Sequence, residues 1–200
     1  MEKNEINYSK VHESLPVRVF IGMGTQATVM SKTLSSIMGV IIMSKNKISG
    51  YSILQGGDIV SARTFCVKNA IEKKATHIFF VDSDMYFPSD TLERLLKHDK
   101  EIVTVEYNRR KLPLESVTTP LKERSETELY KAGGIGAGCL LIKLSVFEKI
   151  KKPWFVFGRD KKGKVVIGED VWFANTARDA GIDSWIDPTI SVKHVGEYLY

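Results

Sequence analysis

The stretch Ile78-Phe79-Phe80-Val81-Asp82-Ser83-Asp84 joins an apolar run to two carboxylates placed one residue apart. An apolar run of this kind is typical of a buried central strand. In an extended backbone, residues i and i+2 point to the same side, so Asp82 and Asp84 can converge on one cation. Acids at the carboxyl end of a buried strand lie where open α/β sheets bind their ligands. The stretch therefore predicts a metal-assisted site for a phosphate-bearing substrate.

The metal interpretation follows from ligand chemistry. Mg²⁺ and Mn²⁺ accept carboxylate oxygens and usually keep positions open for phosphate oxygens. The alternative is a pair of solvated turn acids that merely end the strand, and an Asp-x-Asp pattern alone does not exclude it. The choice between the two depends on the rest of the chain.

Periodicity and turn residues predict alternating strands and helices. The predicted strands are Val17–Ile21, Gly39–Met43, His77–Val81, Ile102–Tyr107, Leu129–Ala132 and Cys139–Lys143. The predicted helices are Thr25–Met38, Asp58–Lys73, one around Leu92, Ser145–Lys152 and Glu169–Ala180. This alternation favours helices on both faces of a largely parallel sheet.

Three ordered segments resemble one enzyme family. They are Phe80-Val81-Asp82-Ser83-Asp84-Met85, Gly168-Glu169-Asp170-Val171-Trp172-Phe173 and Val192-Lys193-His194-Val195-Gly196. Together they are similar to the Asp-x-Asp segment, the Glu-Asp motif and the late histidine of family-two-like, nucleotide-sugar-dependent glycosyltransferases with the GT-A fold. The resemblance runs from about Val17 to Gly196. It implies a GT-A-like (Rossmann-like) three-layer α/β/α sandwich with a mostly parallel central sheet, as a single domain over residues 1–200 with a flexible segment at 1–15.

The resemblance also implies the ligands and their residues. Asp84 and His194 would hold Mn²⁺ or Mg²⁺, Asp82 would contact the ion or the ribose, and Ser83 would lie beside the nucleotide diphosphate-sugar donor. Asp170 resembles a general base that deprotonates an acceptor hydroxyl in an inverting displacement, while Glu169 would orient the acceptor or the base. From the residues alone, acids in the first turn of a helix are also common because the helix dipole stabilises them.

Arg63 falls on the apolar stripe of its predicted helix, three or four residues from Ile59, Cys66 and Val67. A guanidinium on an inward face needs a carboxylate or phosphate partner, because burying it unpaired costs several kcal/mol. Family members often carry Ala-Arg-Asn at this point, where this chain has Ala62-Arg63-Thr64. Arg63 is therefore a candidate donor-binding residue, with an ordinary structural ion pair as the alternative.

Two glycine-rich stretches carry further expectations. Gly22-Met23-Gly24-Thr25-Gln26-Ala27 matches the dinucleotide fingerprint, and it keeps an NADP-binding oxidoreductase open as an alternative. Under the glycosyltransferase interpretation, Gly22 and Gly24 lie beside the nucleotide. The predicted second strand ends at Met43 without the acids that family members often use to hold the base. The glycines within 133–138 predict either close approach of a substrate or a bend at a strand entry.

Composition sets looser limits. The 29 basic and 24 acidic residues leave a net charge of +5, which favours anionic ligands but does not single out nucleic acid. No stretch approaches the length of a transmembrane helix and the start of the chain lacks a signal peptide's apolar segment, so we expect a cytoplasmic protein, compatible with peripheral membrane contact. The acceptor is expected to be a glycan, a lipid-linked molecule or a protein. A non-catalytic glycan- or partner-binding module is a further alternative.

Overall fold

The structure is a computed structural model that describes residues 16–196. The strands are β1 (Val19–Thr25), β2 (Ile48–Gln55), β3 (His77–Val81), β4 (Met85–Tyr86), β5 (Ile102–Val105), β6 (Thr119–Pro120), β7 (Tyr130–Gly134), β8 (Cys139–Lys143), β9 (Gly158–Arg159), β10 (Val165–Ile167), β11 (Ser184–Asp187) and β12 (Lys193–His194). The helices are α1 (Ser31–Met43), α2 (Ile59–Glu72), α3 (Thr91–Lys97), α4 (Val146–Lys149) and α5 (Glu169–Asp179). Within this part of the chain, no helix combines the length and the apolar character needed to cross a membrane. The segment 1–15, for which flexibility is predicted, lies outside the described residues.

Within residues 16–196, eight strands form one sheet in the order β2-β1-β3-β8-β5-β11-β7-β6. β1 pairs in parallel with β2 and β3, and β5 pairs in parallel with β11. β8 and β7 are antiparallel to their neighbours, so all the other strands of the sheet point in one direction. The predicted α/β class with a mostly parallel central sheet is confirmed.

The core has two halves, one on each face of the sheet. Alternate residues of β3 divide between them: Ile78 and Phe80 pack on the side of α2 and α5, whereas Phe79 and Val81 pack on the side of α1 and α3. This division follows from the two-residue period of a strand that is buried on both faces. The carboxyl end of β3 is thereby fixed at the middle of the sheet, between β1 and β8.

The predicted strand Gly39–Met43 is wrong, because these residues form the last turns of α1 and the second strand is Ile48–Gln55. A short apolar run such as Val40-Ile41-Ile42 cannot be assigned to a strand or a helix by periodicity alone. Within the helix, Gly39 faces Ser89, where any Cβ would lie only 2.8 Å from the serine Cβ. The absence of a side chain at residue 39 lets α1 pack closely on the loop that follows β4.

Candidate active site

The two acids after β3 are held in a turn at the centre of the sheet. The Asp82 backbone N–H donates to the Gly138 carbonyl at 3.1 Å, which ties the turn to the loop before β8. The Met30 N–H donates to the Ser83 carbonyl at 2.9 Å and ties it to the start of α1. Asp82, Ser83 and Asp84 all line a cavity of about 360 Å³. This cavity lies at the carboxyl end of β3, as expected for a ligand site in an open α/β sheet.

His194 reaches the same cavity through a small second sheet. β12 pairs antiparallel with β4, so that His194 lies opposite Met85, the residue after Asp84. The Val195 N–H donates to the Asp84 carbonyl at 2.6 Å and closes the pairing. Residues more than a hundred positions apart are therefore placed side by side at the cavity.

The imidazole of His194 is oriented by the protein. Its Nδ1 lies 2.6 Å from the Asn108 carbonyl oxygen, and its ring stands edge-to-face on Tyr107 with centroids 5.1 Å apart. A carbonyl oxygen only accepts hydrogen bonds, so Nδ1 carries a proton, and in the neutral imidazole Nε2 is the nitrogen with the lone pair. A backbone carbonyl bound to one ring nitrogen is the usual arrangement when the other nitrogen binds a metal.

Arg63 is buried with only 4% of its surface exposed, and its partners are candidate site acids. Its Nη1 lies 2.5 Å from Glu169 Oε1 and its Nη2 lies 3.5 Å from Asp82 Oδ1. The Nη1 contact is an ion pair without the alignment of a hydrogen bond. Burial lowers the pKa of Arg63, but Asp82 and Glu169 raise it and prevail, so the guanidinium stays charged. Arg63 therefore links the Asp-x-Asp turn to the first turn of α5.

Glu169 and Asp170 begin α5 and both line the cavity. Asp170 Oδ1 accepts a hydrogen bond from the Val171 N–H at 2.8 Å, as an acid in a first helical turn can. Burial raises the pKa of both carboxyl groups, and the attraction of Arg63 only partly offsets it. Carboxylates with raised pKa values are stronger proton acceptors than exposed ones and are typical of functional sites.

Of the nine residues assigned to the site from the sequence, all but Gly22 line the cavity. Those that line it are Gly24, Arg63, Asp82, Ser83, Asp84, Glu169, Asp170 and His194. Gly22 lies deeper, where a Cβ would be 2.9 Å from the Cys66 Cβ of α2, so its placement gives no support to contact with a nucleotide. Among the residues that line the cavity, Gln26 carries the one side-chain amide, and it lies beside Gly24.

The glycine fingerprint near Gly24 does not open a helix. A dinucleotide-binding turn leads directly into the helix whose N-terminus receives the pyrophosphate. In this chain β1 extends to Thr25, and α1 begins only at Ser31. The local geometry therefore argues against the NADP-binding alternative.

Asp58 supplies an acid after the true second strand, which the sequence interpretation missed because it ended that strand at Met43. Asp58 is the N-cap of α2: one carboxylate oxygen accepts from the Ser61 N–H at 3.0 Å and the other from the Ser61 hydroxyl at 2.6 Å. These bonds lower its pKa. Its neighbours Gly57 and Ile59 line the cavity, whereas Asp58 itself is engaged in capping the helix.

Two further residues of the cavity region, Arg110 and Tyr107, are not among the candidates of the sequence analysis. Arg110 Nη1 lies 3.0 Å from Asp84 Oδ2, although more than half of the arginine side chain is exposed. Tyr107 is buried, and its hydroxyl accepts a hydrogen bond from the Gly138 N–H at 2.8 Å. Burial and nearby Asp82 raise the pKa of Tyr107 well above its usual value, so the phenol stays neutral. Arg110 belongs to the basic run Asn108-Arg109-Arg110-Lys111, and this run is the signal in the sequence that could have identified it.

The side chains at this end of the cavity carry donor atoms of the type that bind a divalent cation. Two carboxylates and one imidazole with a free Nε2 are suitable donors for Mn²⁺. Among residues 16–196, however, no three His, Cys, Asp or Glu side chains lie together as a ligand set, and Arg110 is the partner of Asp84. Arg110 would therefore compete with a cation for Asp84 Oδ2, and its exposed side chain permits it to move away.

Comparison with known proteins gives no match to a family model and none to a curated sequence. Solved structures do match. Protein A197 from STIV has a TM-score of 0.66 at 20% identity, and the match covers 90% of this chain and 87% of that one. GalNAc-T7 with UDP, GalNAc and Mn²⁺ has a TM-score of 0.53 at 12% identity over 92% of this chain. TarS 1-349 from S. aureus has a TM-score of 0.50 at 14% identity over 86% of this chain.

The chain spans 44% of the GalNAc-T7 structure and 58% of the TarS structure. At sequence identities this low, a structural likeness is informative about the fold and not about the reaction. The comparisons agree with the arrangement of the central sheet, and the chain has a GT-A-like fold.

Proposed function

We propose that this protein is a metal-dependent glycosyltransferase that moves a sugar from a nucleotide diphosphate-sugar to an acceptor hydroxyl. The observation that carries the proposal is the meeting of three distant segments, which bring Asp82, Asp84, Glu169, Asp170 and His194 to one cavity. Two of the structural neighbours are glycosyltransferases, and one of them was crystallised with UDP and Mn²⁺. Because one fold supports many reactions, the proposal depends on the site more than on the fold.

The charge of the cavity supports a requirement for a cation. Four carboxylates line it, and the neighbouring arginines Arg63 and Arg110 balance only part of their charge. A diphosphate would be repelled by such a surface unless a cation bound with it. The excess of acids near Asp84 therefore favours joint binding of a nucleoside diphosphate and a divalent ion.

Asp84 and His194 would hold Mn²⁺ or Mg²⁺, and Asp82 would contact the ion or the ribose. When bound, the ion would neutralise charge that develops on the departing diphosphate. The imidazole nitrogen favours Mn²⁺ over Mg²⁺. The Asn108 carbonyl supports this role because it fixes the His194 ring with Nε2 free.

The donor nucleotide would lie along the ends of β1 and β2. Gly24, Thr25, Gln26 and Gly57 line this side of the cavity, beside Ser83. The Gln26 side-chain amide donates to the Gly57 carbonyl at 3.3 Å and holds the two loops together.

Asp170 is the proposed general base. Its Oδ1 is bonded to the Val171 N–H, which leaves Oδ2 to take the proton of the acceptor hydroxyl. The acceptor oxygen then forms a bond to the anomeric carbon, while the bond from that carbon to the diphosphate oxygen breaks and the diphosphate leaves with the electron pair. A single displacement of this kind inverts the anomeric centre. Glu169, held by Arg63, would orient the acceptor or the base.

A thermal-shift screen of nucleoside diphosphates tests the proposal. We expect UDP or GDP to raise Tm in the presence of Mn²⁺ and to have little effect without it, because the acidic cavity needs the cation to accept a diphosphate. A shift with NADP that is independent of metal would instead support the oxidoreductase alternative. No response to any nucleotide would support a glycan- or partner-binding module.

Arg110 is expected to compete with the cation for Asp84. Replacing Arg110 with glutamine should tighten Mn²⁺ binding in the absence of nucleotide by about two- to fivefold, because an exposed ion pair is worth up to about 1 kcal/mol. Titration of free Mn²⁺ by electron paramagnetic resonance measures this directly. Arg109→Gln is the matched control, since Arg109 is an exposed neighbour and its side chain has no ion pair among the described residues. Equal affinities in both variants would contradict the expected competition.

A further inference from the structure

Helix α1 buries two polar residues and exposes several of its large apolar residues. The residues of its buried face include Thr33, Ser36 and Val40, and the Ser36 hydroxyl accepts a hydrogen bond from the Phe87 N–H at 3.0 Å. The large apolar residues Leu34, Met38 and Ile42 lie on the opposite face, whereas Ile37 is partly buried against the core. A surface helix of a globular protein normally buries its apolar stripe and exposes its polar one.

The exposed face of α1 carries a continuous apolar strip, formed by Leu34, Met38 and Ile42. These side chains are 54%, 48% and 69% exposed, and their spacing of four residues places them in one row along the helix. Beside the helix, Tyr51 and Ile53 of edge strand β2 are also exposed. Between the helix and the strand lies a cavity of about 330 Å³ with an almost entirely apolar lining. A contiguous exposed apolar surface on a protein is a feature of contact sites.

In the part of the sequence that contains the apolar strip, every charged residue is basic. Residues 16–57, which include β1, α1 and β2, contain no aspartate or glutamate. The same range contains Arg18, Lys32, Lys45 and Lys47, and Lys47 is neutralised by Glu93 of α3 at 2.6 Å. Lys32 and Lys45 are exposed, one near each end of α1. The strip is therefore flanked by positive charges without acids from its own region to balance them.

We infer that the outer face of α1, with its apolar strip and its two flanking lysines, docks on an anionic lipid surface. An apolar helical face combined with lysines at its borders is the composition that binds in the interface of a bilayer with negatively charged headgroups. A second copy of this chain is a poorer partner, because two such faces would bring lysines against lysines with no acid to complement them. Charge complementarity therefore selects the lipid surface.

The position of the strip relates the lipid surface to the candidate active site. The Met30 N–H, just before α1, donates to the carbonyl of Ser83, and Ser83 lines the cavity. A protein docked through α1 would therefore hold its cavity close to the membrane surface. On the proposed function, this placement favours an acceptor that is carried on a lipid; the docking itself does not depend on that function.

Co-sedimentation of the full chain with lipid vesicles tests the docking without nucleotide or acceptor. We expect binding to vesicles of phosphatidylcholine and phosphatidylglycerol, weaker binding to phosphatidylcholine alone, and loss of binding at high salt. The triple variant Leu34→Gln, Met38→Gln, Ile42→Gln should bind the anionic vesicles about tenfold or more weakly. The variant Lys32→Glu, Lys45→Glu should lose the preference for anionic vesicles.

Val166→Gln is the matched control, because Val166 is 58% exposed in β10, away from α1, and its replacement should leave vesicle binding unchanged. Circular dichroism and Tm check that each variant folds, as expected for substitutions at exposed positions. The inference is overturned if the wild-type chain binds neither type of vesicle, or if the triple variant binds as the wild type does. It is also overturned if light scattering shows a dimer that the triple variant converts to a monomer while vesicle binding is unaffected.

Discussion

Replacement of Asp84 by asparagine is expected to abolish Mn²⁺-dependent binding of a nucleoside diphosphate and to reduce sugar transfer by about a thousandfold. Asparagine has the shape of aspartate but carries no charge, so it is a poor ligand for a hard divalent cation. Without the cation, the carboxylates that remain in the cavity would repel the diphosphate. Calorimetric titration of the nucleotide with and without Mn²⁺, combined with a transfer assay, measures both effects.

The fold of the Asp84→Asn variant should be unaffected. The ion-pair partner of the Asp84 side chain is Arg110, which is 56% exposed, and an exposed ion pair contributes at most about 1 kcal/mol to stability. Asp90→Asn is a suitable control, because Asp90 lies shortly after the same turn and its side chain makes no capping hydrogen bond. Retention of Mn²⁺-dependent nucleotide binding by the Asp84 variant, at the affinity of the wild type, would refute the proposed metal role.

Local patterns in the sequence were sufficient for the centre of the fold. Strand β3 occupies His77–Val81 as predicted, because an apolar run of this kind must be buried on both faces. The burial of Arg63 also follows from its position on the helical stripe, and the structure supplies the carboxylate partners that a buried guanidinium needs. Both inferences depend on one element and its immediate surroundings.

Features that depend on pairing between distant segments could not be derived in this way. β4 and β12 have two residues each, which is too short for a periodic signal, yet their pairing places His194 beside Asp84. The family resemblance supplied that residue, whereas its neighbour Asn108 and the contact of Arg110 with Asp84 emerge only in three dimensions. The boundary between α1 and β2 was also misplaced, because the short apolar run after Gly39 suits a strand as well as a helix, and its place in α1 follows from the packing of Val40 in the core.

The glycines before β8 were correctly predicted to allow close approach of another group, but the sequence did not identify that group. A Cβ at Gly136 or Gly138 would overlap the hydroxyl of Tyr107. The nearest group to these two glycines is therefore a buried side chain of the protein, which also accepts the Gly138 N–H and supports the His194 ring. The sequence had left open a substrate or a bend in the strand. Neither alternative included Tyr107, because a single tyrosine at the end of a predicted strand carries no distinguishing signal.

Replacement of Asp170 by asparagine is expected to lower kcat by about a hundred- to ten-thousandfold while the Mn²⁺-dependent affinity for nucleoside diphosphate is retained. Asparagine keeps an oxygen that can accept the Val171 N–H, but it cannot take a proton from the acceptor. Steady-state kinetics and nucleotide titration separate the two quantities. Asp179→Asn, at the exposed end of the same helix, serves as the control for activity.

The same variant should be more stable than the wild type at neutral pH. Burial raises the pKa of Asp170, so the folded state holds its proton to a higher pH than the unfolded state, and ionisation opposes folding above the raised pKa. Asparagine removes that cost, and Tm should rise by about 1–4 °C. The gain should shrink as the pH falls through the raised pKa, because the wild-type carboxyl then becomes protonated. In the wild type, kcat should fall over the same interval as the base is lost. The general base would be another residue if the Asp170→Asn variant were fully active. The same conclusion would follow if kcat of this variant still fell at low pH as it does in the wild type.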